Sequence, residues 1–233
     1  EPAGLHGHSA REIVAKLQSY GLQAQSFHVG LELLQNSWEE LGNVLPECGA
    51  TDLVMPFADA NSLPEVRELA ETLQAIAVKL RGLGLGLHYH NHSHEIAKVF
   101  EGKCFMDWLL DLAPDLRWQV DVGWVTAGGA DVPALLHQWR ERISMLHIKD
   151  IFAVDGAGPV ETRNEGGVEV VISAAAQKGG QPDRMGDGIV DFAGIFAAAQ
   201  DLGISTFILE NDNPENVADF VDSGMALVEK YNR

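Results

Sequence analysis

Apolar residues recur along the chain at two alternating spacings. Short apolar runs of strand length, such as 51–57, alternate with longer segments in which apolar residues return every three or four positions. The first of these longer segments starts with a capping box, Ser9 and Glu12, and stops at Gly21. The alternation continues to about residue 230 and is typical of repeated βα units on a parallel sheet.

The spacing predicts six strands with helices between them. Strands are expected at 22–29, 51–57, 85–90, 118–122, 144–148 and 206–210. Helices are expected at 9–20, 38–48, 62–81, 95–112, 131–139, 192–202 and 213–230. A stretch at 151–186, rich in Gly, Glu and small residues, is predicted to be a long loop that contains one short element of undetermined kind at 168–176.

The six predicted units do not make a closed barrel, because a barrel of parallel strands usually has eight. A helix also stands at the front with no strand before it, and the chain starts at Glu1 rather than at Met. We therefore expect a single α/β domain over 1–233. We expect this domain to be a TIM (β/α)8 barrel whose first strand, first helix and most of the second strand precede Glu1.

Charge and cysteine content narrow the classes of function. Lys and Arg total 16 and Asp and Glu total 34, so the net charge is −18, which repels nucleic-acid phosphates and anionic lipids. No apolar run approaches the roughly 18 residues of a membrane span. Cys48 and Cys104 are too few for a disulfide framework. We expect a cytoplasmic protein that binds a small molecule rather than nucleic acid or a membrane.

Chemically active residue types stand where the predicted strands end. Four successive strands end in His90, Asp121, His147 and Glu210, and function gathers at the carboxyl ends of strands in parallel α/β folds. Each residue alone has an ordinary structural explanation, but the four together suit a divalent ion such as Mn²⁺, Zn²⁺, Co²⁺, Fe²⁺ or Mg²⁺. The sequence therefore predicts that these four residues hold one metal ion.

The two-residue period of a strand selects further candidates around this site. His92 is in phase with His90 but already in the loop, which makes it the reserve ligand. Lys149 is in phase with His147, where its charge could hold a developing oxyanion or pair with a carboxylate of a neighbouring strand. His28 ends the first complete strand and is either a substrate contact or a structural histidine of the rim.

Two other residues near the strand ends have simpler predicted roles. Asp150 follows Lys149 and is out of phase with it, so it is expected to cap a loop. Trp124, just past Asp121, is expected to form an apolar wall over the site.

Five short motifs follow one another along the chain. They are LHYHNH at 87–92, VDVGW at 120–124, LHIKD at 146–150, MGDGIVDF at 185–192 and ILEND at 208–212. Together they resemble the sugar phosphate isomerase/epimerase family of xylose-isomerase-like TIM barrels, and Glu1-Pro2-Ala3-Gly4 resembles the end of that family's second strand. The resemblance implies that the fifth to eighth strands deliver the metal ligands, at the positions of His90, Asp121, His147 and Glu210.

One position departs from the pattern of many relatives. The ketose 3-epimerases carry Glu where this chain has His90, and in them that Glu is one of two carboxylates that exchange a proton on opposite faces of the substrate carbon. The resemblance therefore does not bring a two-carboxylate mechanism to this chain. The run His-Asn-His at 90–92 is instead similar to a branch that includes inosose dehydratases and enzymes that act on 3-keto-sugars.

The sequence thus predicts a metal-dependent isomerase or epimerase that abstracts a proton next to the carbonyl of a keto-sugar or sugar phosphate. Glu210, or a histidine of the pair His92 and His28, is the expected base, and Lys149 is the expected oxyanion partner. One alternative is a lyase like the inosose dehydratases or the enzymes that cleave 3-keto-glycosides. Another is a non-catalytic sugar-binding barrel or a partner-dependent subunit. The resemblance also leaves a homo-oligomer open.

Overall fold

The computed structural model describes residues 1–154, 161–165, 168–172, 180–212 and 214–231. These residues fall into two compact units that alternate along the chain. The first unit comprises 1–90, 106–117 and 162–171, and the second comprises 91–105, 118–161 and 172–233. Among the described residues, no helix combines the length and the apolar character that crossing a membrane requires.

Helices and strands alternate in both units, as the sequence predicts for an α/β fold. The helices are Ala10–Ser19 (α1), Leu31–Val44 (α2), Leu63–Gly82 (α3), Ser93–Ala97 (α4), Phe105–Leu112 (α5), Val122–Ala127 (α6), Val132–Gln138 (α7), Phe192–Leu202 (α8) and Val217–Tyr231 (α9). The strands are Ser26–His28 (β1), Asp52–Met55 (β2), Gly86–His90 (β3), Val99–Phe100 (β4), Lys103–Cys104 (β5), Arg117–Asp121 (β6), Ile143–Ile148 (β7), Glu161–Glu165 (β8), Val168–Ile172 (β9) and Thr206–Leu209 (β10).

The first unit is built on three parallel strands. β1 pairs with β2, and β2 pairs with β3, so that their carboxyl ends point the same way. Every residue of β1 and β2 is buried, as expected for parallel strands that are covered on both faces. The start of the chain also lies beside β1, where Ala3 forms a parallel bridge with His28 and the His28 amide donates to the Pro2 carbonyl.

The second unit has its own group of three parallel strands. β6 pairs with β7, and β7 pairs with β10. In this register Asp121 lies beside His147, and Ile208 lies on the other side of His147. Because Glu210 directly follows β10, the last residues of all three strands come to one edge of the sheet.

Two helices follow a serine that stands three residues before a glutamate, and the two pairs make different contacts. At α1 the Ser9 hydroxyl accepts from the Glu12 amide and the Glu12 carboxylate accepts from the Ser9 amide, so the box is confirmed. At α3 the Ser62 side chain makes no cap hydrogen bond to the backbone. Its hydroxyl instead donates to the Glu65 carboxylate, which also accepts from the Asn61 amide.

Several predicted boundaries are wrong. The helix expected at 95–112 is instead α4, the antiparallel pair of β4 and β5, and α5. Glu101 and Gly102 have positive φ values of 49° and 82°, which a helix cannot contain. α2 begins at Leu31, well before the expected residue 38, and it contains a kink at Ser37.

The segment predicted as a long loop contains regular structure. β8 and β9 form a two-stranded sheet, so the described part of the element expected at 168–176 is a strand. Residues 173–176 of that prediction lie outside the described residues. Asn213, the predicted start of the last helix, also lies outside them, and α9 begins at Val217.

Candidate metal and substrate site

The strand ends of the second unit bring together three of the predicted metal ligands. Asp121, His147 and Glu210 each offer a ligand atom, and these atoms lie within 4.8 Å of one another. Asp121 and His147 are buried, whereas the Glu210 side chain is 27% exposed. The Nδ1 atom of His147 shares a short hydrogen bond with a carboxylate oxygen of Glu210. Two carboxylates and one imidazole are thus gathered at one point.

Asp121 is held in place through both its backbone amide and its carboxylate. Its amide donates to the side-chain oxygen of Asn91 at 3.0 Å, and the same oxygen accepts from the Trp118 indole at 2.8 Å. One carboxylate oxygen of Asp121 accepts from the Trp124 amide at 2.8 Å and caps α6. The other oxygen, Oδ2, lies 3.6 Å from the Lys149 ammonium. Sequence reasoning missed the positioning role of Asn91, which depends on this contact between distant residues.

Lys149 is the cation of this group of acidic residues. Its Nζ atom lies 3.0 Å from both carboxylate oxygens of Asp212 and 3.3 Å from Oε1 of Glu210. The ammonium also lies 4.7 Å from the centre of the Trp124 ring. Burial would lower the pKa of Lys149, but the carboxylates of Asp212, Glu210 and Asp121 outweigh burial and raise it. Lys149 therefore keeps its charge. Its ion pairs with these carboxylates are one of the two roles predicted for it.

Negative charge exceeds positive charge around Lys149. Three carboxylates face one ammonium in a largely buried setting, so negative charge is in excess whenever more than one of the carboxylates is ionised. Burial raises the pKa of Asp121 to about 7, with Lys149 opposing the shift and Glu210 adding to it. A divalent cation neutralises such an excess, and carboxylate oxygens with an imidazole nitrogen are suitable ligands for it. The residues of the second unit therefore fit a metal ion.

Asp212 is a functional candidate that sequence reasoning missed. The Asp212 carboxylate forms an ion pair with Lys149. Gln181 makes two hydrogen bonds to Asp212: its side-chain NH₂ group donates to the Asp212 carboxylate, and its side-chain oxygen accepts from the Asp212 backbone amide. The available signal was its position two residues after Glu210 in the ILEND motif, which is the same strand phase.

In the first unit, His28 and His90 lie side by side. Their ring centres are 4.9 Å apart, and their ligand atoms lie within 4.8 Å of each other. The Nε2 atom of His28 lies 3.0 Å from a carboxylate oxygen of Glu1, whose other oxygen accepts from the Ser26 hydroxyl. Glu1 therefore orients His28, and both histidines are buried.

The remaining predicted histidine, His92, belongs to the second unit. Its backbone amide donates to Glu95 at 2.7 Å, and its ring stacks on His94 with centres 6.1 Å apart. The ring also packs against Trp124, with centres 5.5 Å apart. His92 is not among the described residues that group as metal ligands. Trp124 thus lies in contact with both His92 and Lys149, consistent with its predicted role as an apolar wall.

His88 lies deeper along β3 than His90. Its Nε2 atom lies 3.0 Å from Asp52, and the other Asp52 oxygen accepts from the Thr51 hydroxyl. Burial would raise the pKa of Asp52, but the hydrogen bond and charge of His88 outweigh burial and lower it. These contacts tie the start of β2 to β3, so His88 has a structural role.

Two adjoining pockets of about 400 Å³ each open at the carboxyl ends of β1 and β2 in the first unit. Both are lined by Gly30 and Glu32. One includes His28 and His8, and the other includes the segment 55–60 that follows β2. The first unit therefore offers concave space at the strand ends, where parallel α/β folds place ligands.

Comparison with known proteins establishes the fold. No family model matches the sequence, and no curated protein matches it significantly. Solved structures match well. A sugar phosphate isomerase/epimerase from Parabacteroides distasonis has a TM-score of 0.73 and 17% identity, and the match covers 95% of this chain and 75% of that one. The chain has the fold of such xylose-isomerase-like TIM barrels, as predicted.

Two other similar structures bear on the reaction and on the metal ion. A probable 3-DHS dehydratase from Bacillus anthracis has a TM-score of 0.65 and 15% identity, with 94% of this chain and 81% of that one covered. The IOLI protein, solved with a bound zinc atom, has a TM-score of 0.66 and 13% identity, with 97% and 84% covered. The fold therefore accommodates both a metal ion and more than one reaction.

Proposed function

We propose that this chain is a metal-dependent enzyme that isomerises or epimerises a keto-sugar by moving a proton next to its carbonyl. The observation that carries the proposal is the buried excess of negative charge where Asp121, His147 and Glu210 offer ligand atoms within 4.8 Å of one another. His90 is the proposed fourth ligand, which gives two imidazoles and two carboxylates. The zinc-bound and isomerase structures of the same fold support this assignment.

The proposed roles of the residues follow from their exposure and charge. A bound divalent cation supplies Lewis acidity, which makes a proton next to a coordinated carbonyl more acidic. Glu210 is the proposed base, because its carboxylate is partly exposed whereas that of Asp121 is fully buried. Lys149 keeps its charge at 3.3 Å from Glu210, so it is suited to stabilise negative charge that develops on the substrate oxygen. His28, oriented by Glu1, is the second candidate for proton transfer.

The proposal is tested by metal binding and by hydrogen exchange in the same samples. Metal-free protein is titrated with Mn²⁺ and Zn²⁺ by calorimetry, and deuterium incorporation from D₂O into keto-sugars is followed by NMR. Glu210→Gln should slow the exchange by about 100-fold or more even when metal is bound. The control is Glu68→Gln, which changes an exposed carboxylate on α3.

Two results would count against the proposal. Wild-type protein that binds neither cation would remove the metal site and the function with it. Unchanged exchange in metal-loaded Glu210→Gln would remove Glu210 from the proton-transfer role.

A dehydratase is the second candidate function. It is favoured by His92, which packs against Trp124, the ring that also contacts Lys149; a histidine there could protonate a leaving hydroxyl. The probable dehydratase of the same fold supports this alternative. Loss of water would give a conjugated enone with ultraviolet absorbance, whereas isomerisation gives none, so a spectrophotometric assay on the same keto-sugars separates the two reactions.

A further inference from the structure

The ammonium of Lys149 pairs with three carboxylates, and two of them belong to proposed metal ligands. Its Nζ atom lies 3.3 Å from Glu210 and 3.6 Å from Asp121, and both residues offer ligand atoms to a cation. The third partner, Asp212, is not among the described residues that group as metal ligands. A cation and the Lys149 ammonium therefore compete for Glu210 and Asp121 but not for Asp212.

The stem of Lys149 is fixed, so its ammonium has little choice of partner. An added Cβ at Gly123 would lie 2.8 Å from Cγ and 3.0 Å from Cβ of Lys149, because the stem packs closely against the backbone there. The ammonium lies 4.7 Å from the centre of the Trp124 ring. Within the described part of the chain, it pairs with no carboxylate beyond these three. Without Asp212 it would move fully onto the two proposed ligands.

Asp212 has the geometry to retain the ammonium. Both of its carboxylate oxygens lie 3.0 Å from Nζ, whereas the nearest oxygens of Glu210 and Asp121 are 3.3 and 3.6 Å away. Gln181 fixes Asp212 by donating to its carboxylate and by accepting from its backbone amide at 3.0 Å. Hydrogen bonds between ionised groups are about twice as strong as those between neutral ones. Asp212 is therefore the partner best suited to keep Lys149.

We propose that Asp212 is a positioning residue that holds the Lys149 ammonium to one side, so that Glu210 and Asp121 stay available to a divalent cation. This inference rests on the proposed function and adds to it a residue outside the ligand set. Asp212 retains the ammonium when the other two carboxylates turn to the cation. Loss of Asp212 makes Lys149 a competitor of the cation for the same oxygens.

A double-mutant cycle separates this role from the simple loss of one negative charge. Calorimetry gives the Kd of Mn²⁺ and of Zn²⁺ for the metal-free wild type, Asp212→Asn, Lys149→Met and the double variant. Asp212→Asn should weaken binding by about tenfold or more when Lys149 is present. In the Lys149→Met background no ammonium competes, so the same change should alter the Kd by less than about threefold. The control is Asp222→Asn, which removes an exposed carboxylate on α9 and should leave the Kd within about twofold.

The position of the ammonium is a second readout, independent of affinity. In a crystal structure of metal-free Asp212→Asn, Nζ should lie closer to Glu210 and Asp121 than the 3.3 and 3.6 Å of the wild type. If this variant does not fold, Gln181→Met takes its place in the cycle and in the crystal structure. That change keeps the charge of Asp212 but removes the two hydrogen bonds that orient it, and it should weaken cation binding by about two- to fivefold.

Three results would overturn the inference. They are an unchanged Kd in the variant, an equal loss of affinity with and without Lys149, and an ammonium that keeps its distances from Glu210 and Asp121. Each of them is observed with a wild type that binds the cation, so it is distinct from failure of the proposed function. A wild type that binds neither cation overturns both proposals together, whereas unchanged hydrogen exchange in Glu210→Gln counts against the proposed function alone.

Discussion

Asp150 provides a quantitative test of how the long segment after β7 is attached. The residue is 2% exposed, and its carboxylate accepts hydrogen bonds from four backbone amides. One oxygen accepts from Gly186 at 2.8 Å and Gly188 at 2.9 Å, and the other accepts from Ile151 at 2.9 Å and Val190 at 3.4 Å. The structure thus confirms the predicted loop-capping role.

The cost of Asp150→Asn can be worked out from these contacts. Asparagine keeps one oxygen and replaces the other with an NH₂ group. In either orientation of the side chain, this NH₂ group faces two backbone amides, and because all of them are donors those two hydrogen bonds are lost. Hydrogen bonds to a charged group contribute about 1.5–3 kcal/mol each. Losing two of them should lower the free energy of unfolding by about 3 kcal/mol or more. The matched control is Asp187→Asn, an exposed residue in the same turn, which should change stability by less than about 0.5 kcal/mol.

Urea unfolding followed by tryptophan fluorescence measures both variants. For Asp150→Asn we expect the midpoint to fall while the dependence on urea concentration stays the same, because the surface exposed on unfolding is unchanged. Equal midpoints for Asp150→Asn and Asp187→Asn would refute the view that this carboxylate holds the returning chain.

Three further predictions concern the metal site. Burial raises the pKa of Asp121 to about 7, so between about pH 4 and pH 7 the folded metal-free protein keeps a proton that the unfolded chain loses. The free energy of unfolding should therefore fall as the pH rises from about 4 to about 7. Urea unfolding at successive pH values should show a smaller fall for Asp121→Asn. At about pH 8, Mn²⁺ or Zn²⁺ should raise the Tm of the wild type more than that of Asp121→Asn, and EDTA should reverse the gain. An added Cβ at Gly123 would lie 2.8 Å from both Cγ and the carbonyl oxygen of Lys149. Gly123→Ala should therefore lower the free energy of unfolding, measured by thermal unfolding, by about 1–3 kcal/mol. The control is Gly82→Ala, whose added Cβ meets nothing within 4 Å and should not destabilise the protein.

Local signals in the sequence were sufficient for part of the fold. The capping box of Ser9 and Glu12 acts within one turn, so neighbouring residues define it completely. The strand ends that carry Asp121 and His147 were also predictable, since the apolar run before each one is buried in a parallel sheet. The loop-capping role of Asp150 was predictable from strand alternation alone.

Contacts between distant residues were not predictable in the same way. Asn91 binds the Trp118 indole and the Asp121 amide, and Asp212 binds Lys149 across two strands. Each depends on the register of a sheet, which no short stretch of sequence encodes. The break of the helix expected at 95–112 had a local signal in Gly102, but the apolar period on both sides concealed it.

The carboxylate of Asp150 joins the two ends of the segment between Ile151 and Gly186 at a single point. For a segment whose ends are fastened together, doubling the number of intervening residues adds only about 0.6 kcal/mol of closure entropy. Insertions and deletions between these two points are therefore cheap relative to the anchor itself. The length of this segment can therefore vary while Asp150 keeps its two ends together, next to the strand that carries His147.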